Sequence, residues 1–84
     1  MDTAHKLASK YESEIKEIVS QTFLEDPKTL RLMLSNPNGA YISKEDPNKL
    51  GVFVYGNRDN NLYIVLATIG TDGDTLTDFS ALKA

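Results

Sequence analysis

The chain has no cysteine, which removes disulfides, thiolate metal sites and a cysteine nucleophile together. No apolar run approaches the roughly 18–20 residues that span a bilayer. The N-terminus, MDTAHKLASKYESE, lacks the apolar stretch of a signal peptide. Excess positive charge is missing as well. The 9 basic and 12 acidic residues leave a net charge of −3, which offers no electrostatic footprint for nucleic acid or an anionic membrane. These absences together predict a cytoplasmic protein with neither nucleic-acid nor membrane partners.

Catalytic apparatus is equally scarce. His5 is the single histidine, and it falls in the first turn of a predicted helix. A Ser–His pair or a two-histidine metal site needs further elements to converge on it, so a solvent-exposed side chain is expected. Asp72, Asp74 and Asp78 loosely follow a calcium loop but lack its glycine at position six and glutamate at position twelve. Asp-Gly-Asp reads instead as a turn. Gly51, Gly56, Gly70 and Gly73 make no phosphate-cradling pattern. No enzyme, metal or cofactor is expected.

What is present fits one small domain. A chain of 84 residues buries only about 60–65% of its unfolded surface, so its core is one thin layer and a partner can matter to stability. Leu7, Tyr11, Ile15, Ile18, Val19, Thr22 and Phe23 recur at spacings of three and four, which predicts an amphipathic helix from about Thr3 to Leu24. Asp2 or Thr3 is its cap, and Glu12 precedes Lys16 by one turn. Asp26-Pro27 reads as the start of a short second helix carrying Leu30, Met33 and Leu34 inward, and Pro37 ends it near Ser35. Between two turn clusters, Ala40 to Ser43 is either an edge strand or an ordered loop that lays Tyr41 and Ile42 on the core.

The stretch from Gly51 to Thr68 reads as a β-hairpin. With a period of two, Val52 and Val54 share one face and Phe53 and Tyr55 the other. On the second strand, Leu62, Ile64 and Leu66 oppose Tyr63, Val65 and Ala67. Both faces are apolar, whereas a strand with water on one side alternates apolar with polar. Helices cover one face, and the other requires a further cover. Beyond Thr68 the chain turns polar; Leu76, Phe79 and Leu82 recur every three residues in a segment expected to fray or to order on a partner. The predicted fold is therefore α+β: an N-terminal helix plus a short second helix on a two-stranded antiparallel hairpin (residues 1–68), with a flexible C-terminal tail (residues 69–84).

Leu24-Glu25-Asp26-Pro27, Leu30 to Leu34, Ser35-Asn36-Pro37, Gly51-Val52-Phe53-Val54 and Leu62-Tyr63-Ile64-Val65-Leu66 together resemble the nitrile-hydratase-like leader peptide family. These are the leaders of proteusin-type precursors of ribosomally synthesised, post-translationally modified peptides. The likeness spans about residues 12 to 67, and Leu76 to Leu82 is similar to the acidic run that closes such leaders. Nitrile hydratase itself needs a cysteine cluster absent from this chain, so that activity does not transfer. The resemblance implies a cytoplasmic leader domain recognised by peptide-modifying maturation enzymes. The core they modify lies past Ala84 or within residues 69–84. Docking is expected by strand addition to the exposed hairpin edges. Phe53 and Tyr55 are the first candidate contacts, and Leu76, Phe79 and Leu82 the second. The alternative is a small homo-oligomeric or adaptor domain that buries the second hairpin face against a copy of itself.

Overall fold

The computed structural model describes residues 2–84. Two helices, α1 (Thr3–Lys10) and α2 (Glu12–Phe23), precede five strands: β1 (Leu30–Leu32), β2 (Ala40–Ile42), β3 (Lys49–Gly56), β4 (Asn61–Ile69) and β5 (Leu76–Lys83). The strands form one antiparallel sheet in the order β1-β3-β4-β5, with β2 also paired to β3. The predicted two-stranded hairpin with a flexible tail is thus corrected to a five-stranded sheet whose last strand is that tail.

The expected long helix is bent at Tyr11. Its N–H still donates to the Leu7 carbonyl and its own carbonyl accepts from Ile15, but ψ swings to 25°. A straight run of 21 residues would reach roughly 32 Å, longer than the roughly 20 Å width of four strands. The bend lays α1 over β2 and α2 over β5, with the Tyr11 ring against Phe79 at 6.0 Å between centroids. Asp2 caps α1 by accepting from the His5 N–H at 2.9 Å. Lys16 pairs with Glu12 at 3.3 Å.

The predicted second helix shrinks to a single 3₁₀ turn, Pro27–Thr29, capped by Asp26 accepting from the Lys28 N–H. Leu30, Arg31 and Leu32 then extend, opposite Gly56, Tyr55 and Val54 of β3. Strand pairing buries Leu30 fully, an outcome that outweighs the weak helical preference of a short segment.

β2 continues along the same edge of β3, with Ala40 opposite Val52 and Ile42 opposite Leu50. Phe53 stands between the two short strands. Its carbonyl accepts from the Met33 N–H at 2.9 Å and its N–H donates to the Gly39 carbonyl at 2.8 Å. Met33 and Gly39 therefore act together as one sheet position, and residues 34–38 are pinched out as a loop. Only glycine fits this closure: a Cβ on Gly39 would lie 1.7 Å from the Met33 carbonyl oxygen.

Opposite, β5 pairs with β4 from Tyr63↔Lys83 to Ile69↔Leu76, with a register shift between Leu66 and Thr68. Asp78, at φ 55°, is the extra residue of this bulge. It explains why Leu76 and Phe79, three apart, both turn to the helices. Leu76 joins a core of Leu7, Ile15, Val19, Leu30, Leu50, Val52, Val54, Tyr63 and Val65 between the helices and one sheet face.

Candidate recognition surface

Among the described residues, no element lies over the other face of the sheet. The pairings Phe53↔Ile64, Tyr55↔Leu62 and Gly51↔Leu66 carry it across β3 and β4. Ile64↔Leu82 and Leu66↔Ser80 extend it to β5, and Tyr41↔Gly51 to β2. Tyr41, Leu62 and Leu82 are 37%, 39% and 45% exposed, while Phe53, Tyr55, Ile64 and Leu66 are half-buried by their own neighbours. The Tyr41 ring lies where a Cβ of Gly51 would stand and reaches Phe53 at 5.9 Å. At one corner the Arg31 guanidinium sits 5.7 Å from the centre of the Tyr55 ring, a cation–π contact. A contiguous apolar patch of this kind marks a binding surface far more often than scattered exposed side chains do.

The patch has relief. A cleft of about 230 Å³ opens beside β3, lined by Met33, Asn36, Asn38, Gly39, Phe53 and Leu62. The pinched-out loop forms its wall. A wider groove of about 430 Å³ runs past Asp2, Pro37 and Tyr41 at the sheet margin.

His5 ties that loop to α1. Its Nδ1 lies 2.7 Å from Asp2 Oδ1 and its Nε2 lies 3.3 Å from the Asn36 carbonyl oxygen. His5 is 7% exposed, so the predicted solvent-exposed histidine is corrected to a buried strut. Both ring nitrogens face acceptors, an arrangement that only the imidazolium satisfies with two donated bonds. The Asp2 carboxylate, and after it the Asn36 carbonyl, accordingly raise the His5 pKa above its ordinary 6.5. The His5 backbone N–H, then its ring, hold Asp2 below its ordinary 3.8.

A second buried polar group lies away from the patch. Glu25, 8% exposed, accepts through Oε1 from the Tyr63 hydroxyl at 2.6 Å, and its Oε2 has no partner. Phe23 stacks on Tyr63 at 4.6 Å. Burial, and secondarily the bond to Glu25, push the Tyr63 hydroxyl pKa above its ordinary 10.0. The pair ties the end of α2 to β4.

The acidic loop is a turn, as its composition predicts. Asp72 Oδ1 accepts from the N–H groups of Asp74 and Thr75, and its Oδ2 from the Thr75 hydroxyl. Lys10 Nζ reaches Asp74 at 2.8 Å. Among the described residues no group of three or more histidine or acidic side chains is placed to hold a metal ion.

Of the predicted contact residues, the structure brings Phe53, Tyr55 and Leu82 together on the uncovered face. Leu76 is buried in the core and Phe79 packs on Tyr11, so these two are corrected to the covered side. Met33, expected to point inward, and Tyr41, expected on the core if its segment were a loop, are corrected to this uncovered face. The signal for Tyr41 was available in the period-two pattern, which makes Ala40 and Ile42 the inward pair. The hairpin edges expected to accept an added strand are also corrected, because β3 and β4 are flanked on both sides. No protein-family model, curated protein or solved structure matches the chain. Among the described residues no helix is long and apolar enough to cross a membrane.

Proposed function

We propose that the protein is a non-catalytic recognition domain of the cytoplasm, binding another polypeptide through its uncovered sheet face. The observation that carries this reading is the apolar row Phe53, Ile64 and Leu82, with Tyr41 and Leu62 exposed beside it and no element of the described residues above it. Exposing such a surface to water costs solubility, which selection tolerates where the surface is used. The likeness to nitrile-hydratase-like leaders supplies the partner class. In this reading the domain is the leader of a modified-peptide precursor, and peptide-modifying maturation enzymes dock on the face rather than on a strand edge.

Calorimetric titration of the domain against the modifying enzymes encoded beside its gene tests this, with mass spectrometry of co-expressed precursor as the second readout. Leu62→Asp, at an exposed position, should weaken binding by at least about 30-fold, as loss of one hot-spot contact does. Leu24→Asp, exposed on the helical side, should leave it unchanged. Equal binding by both variants, or none by the parent domain, would sink the proposal.

A further inference from the structure

The sheet face is shaped to accept itself, and we infer that its resting cover is a second copy of this chain. The inference rests on reading the uncovered face as a binding surface and goes on to name its occupant.

The register supplies the fit. Phe53, Ile64 and Leu82 lie in one row across β3, β4 and β5. Met33 and Gly39 complete the row on the far side by sharing the backbone bonds of Phe53. One end of the row is therefore the cleft walled by the 34–38 loop, and the other end is Leu82, the most exposed apolar side chain on this face. A knob and a hole sit equidistant from the line between β3 and β4. A two-fold axis along that line, parallel to the strands, turns one sheet onto another. It lays each Leu82 over the other copy's cleft and each Ile64 over the other copy's Phe53. Such reciprocity is what an isologous interface demands, and the geometry is an aligned sandwich with sheets about 10 Å apart.

Charge and area agree. Arg31, opposite Tyr55, and Lys49, opposite Thr68, stand on this face at opposite ends of the strands, and the same axis places neither over its own copy. Four strands of eight residues project roughly 500 Å² at 4.8 Å spacing and 3.3 Å rise. Two such faces reach roughly 1,000 Å² before side-chain relief is counted, the area from which specific interfaces begin. Association through the strand edges is the disfavoured route. One edge is interrupted by the pinched-out loop and the other is bent by the Asp78 bulge, both devices that block strand addition.

Sedimentation equilibrium of the full chain, from low micromolar to submillimolar concentration, should return twice the 9.3 kDa chain mass. Leu82→Glu, at an exposed position that leaves the fold intact by circular dichroism, should raise the dissociation constant by at least about 30-fold. Asn38→Lys, on the cleft rim, places a cation where that glutamate would arrive. Mixing Asn38→Lys chains with Leu82→Glu chains should therefore give a heterodimer a few-fold tighter than parent chains mixed with Leu82→Glu. A monomer throughout the range overturns the inference. So does a dimer indifferent to Leu82→Glu, or a mixture with no gain from Asn38→Lys. A monomer whose enzyme binding still falls on Leu62→Asp overturns the self-pairing alone and leaves the recognition reading standing.

Discussion

The same β3 and β4 residues build two faces of very different character. Leu50, Val52 and Val54 point to the helices and are excluded from water, while Phe53 and Tyr55, one step along the same strand, remain half-open. Hydrophobicity does not separate them, since both sets are apolar. The difference is whether the rest of the chain supplies a second layer. Two helices of 8 and 12 residues cover one side of a four-strand-wide sheet, and among the described residues no element lies over the other. Apolar pattern thus reports that a face is meant to be covered, and does not say by what.

The sharpest way to break that comparison is to substitute adjacent residues of β3. Val54→Asp puts an unpaired carboxylate into the core and should unfold the domain at room temperature, because its cost is comparable to the roughly 5 kcal/mol expected of a small domain. Phe53→Ser should leave a cooperative transition with a loss of about 1–2 kcal/mol. Equal loss of structure in both, by circular dichroism, would mean the two faces are not distinct.

Gly39→Ala addresses how the uncovered face is walled. The added methyl collides with the Met33 carbonyl oxygen, so β1 and β2 cannot both hold Phe53. A cost of about 3 kcal/mol is expected, lowering Tm by roughly 12–24 °C for a domain of this size. An unchanged Tm would show that the loop closes in some other way.

Tyr63→Phe tests the covered side without changing its volume. It leaves Glu25 buried with neither oxygen paired, which should cost about 1–3 kcal/mol. Adding Glu25→Gln to Tyr63→Phe should recover part of that loss, because the amide carries no charge into the core. No recovery on chemical denaturation would remove the tether from the account.

The smallest effect is in pH. His5, raised above 6.5 when folded, contributes its full stability below that value and loses it as pH climbs through the folded pKa. Asp2, lowered below 3.8, contributes above that value and loses it as pH falls through its own folded pKa. Their joint contribution is therefore greatest between 3.8 and 6.5. Amide exchange in residues 34–38 should quicken above the histidine titration, after correction for intrinsic rates. In His5→Gln that extra step should vanish.

The sequence shows some of these features openly and conceals others. The two apolar runs between Gly51 and Thr68 reveal both hairpin faces, because a period of two assigns each residue to a face wherever the pairing is regular. Irregular pairing hides the rest. The Asp78 bulge inserts one residue into β5, so Leu76 and Phe79 take up a spacing of three that imitates a helix turn. Leu30, Met33 and Leu34 imitate another, although Leu30 and Leu32 are the inward pair of a strand. Two three-residue strands flanking a loop carry too little pattern to declare themselves. His5 was hidden for a different reason: its partner, Asn36, is 31 positions away, and a backbone carbonyl carries no signature in the residue type. The uncovered face was therefore legible through Phe53 and Tyr55, while its cleft was not.

The sharing of Phe53 by Met33 and Gly39 has a consequence for how this chain can be altered. Because the sheet counts those two residues as one position, the register of everything downstream is indifferent to how many residues lie between them. Lengthening the loop adds a closure entropy of about 0.6 kcal/mol for each doubling. The five residues from Leu34 to Asn38 are thus a port: peptide can be spliced in at the rim of the cleft without re-phasing a single strand.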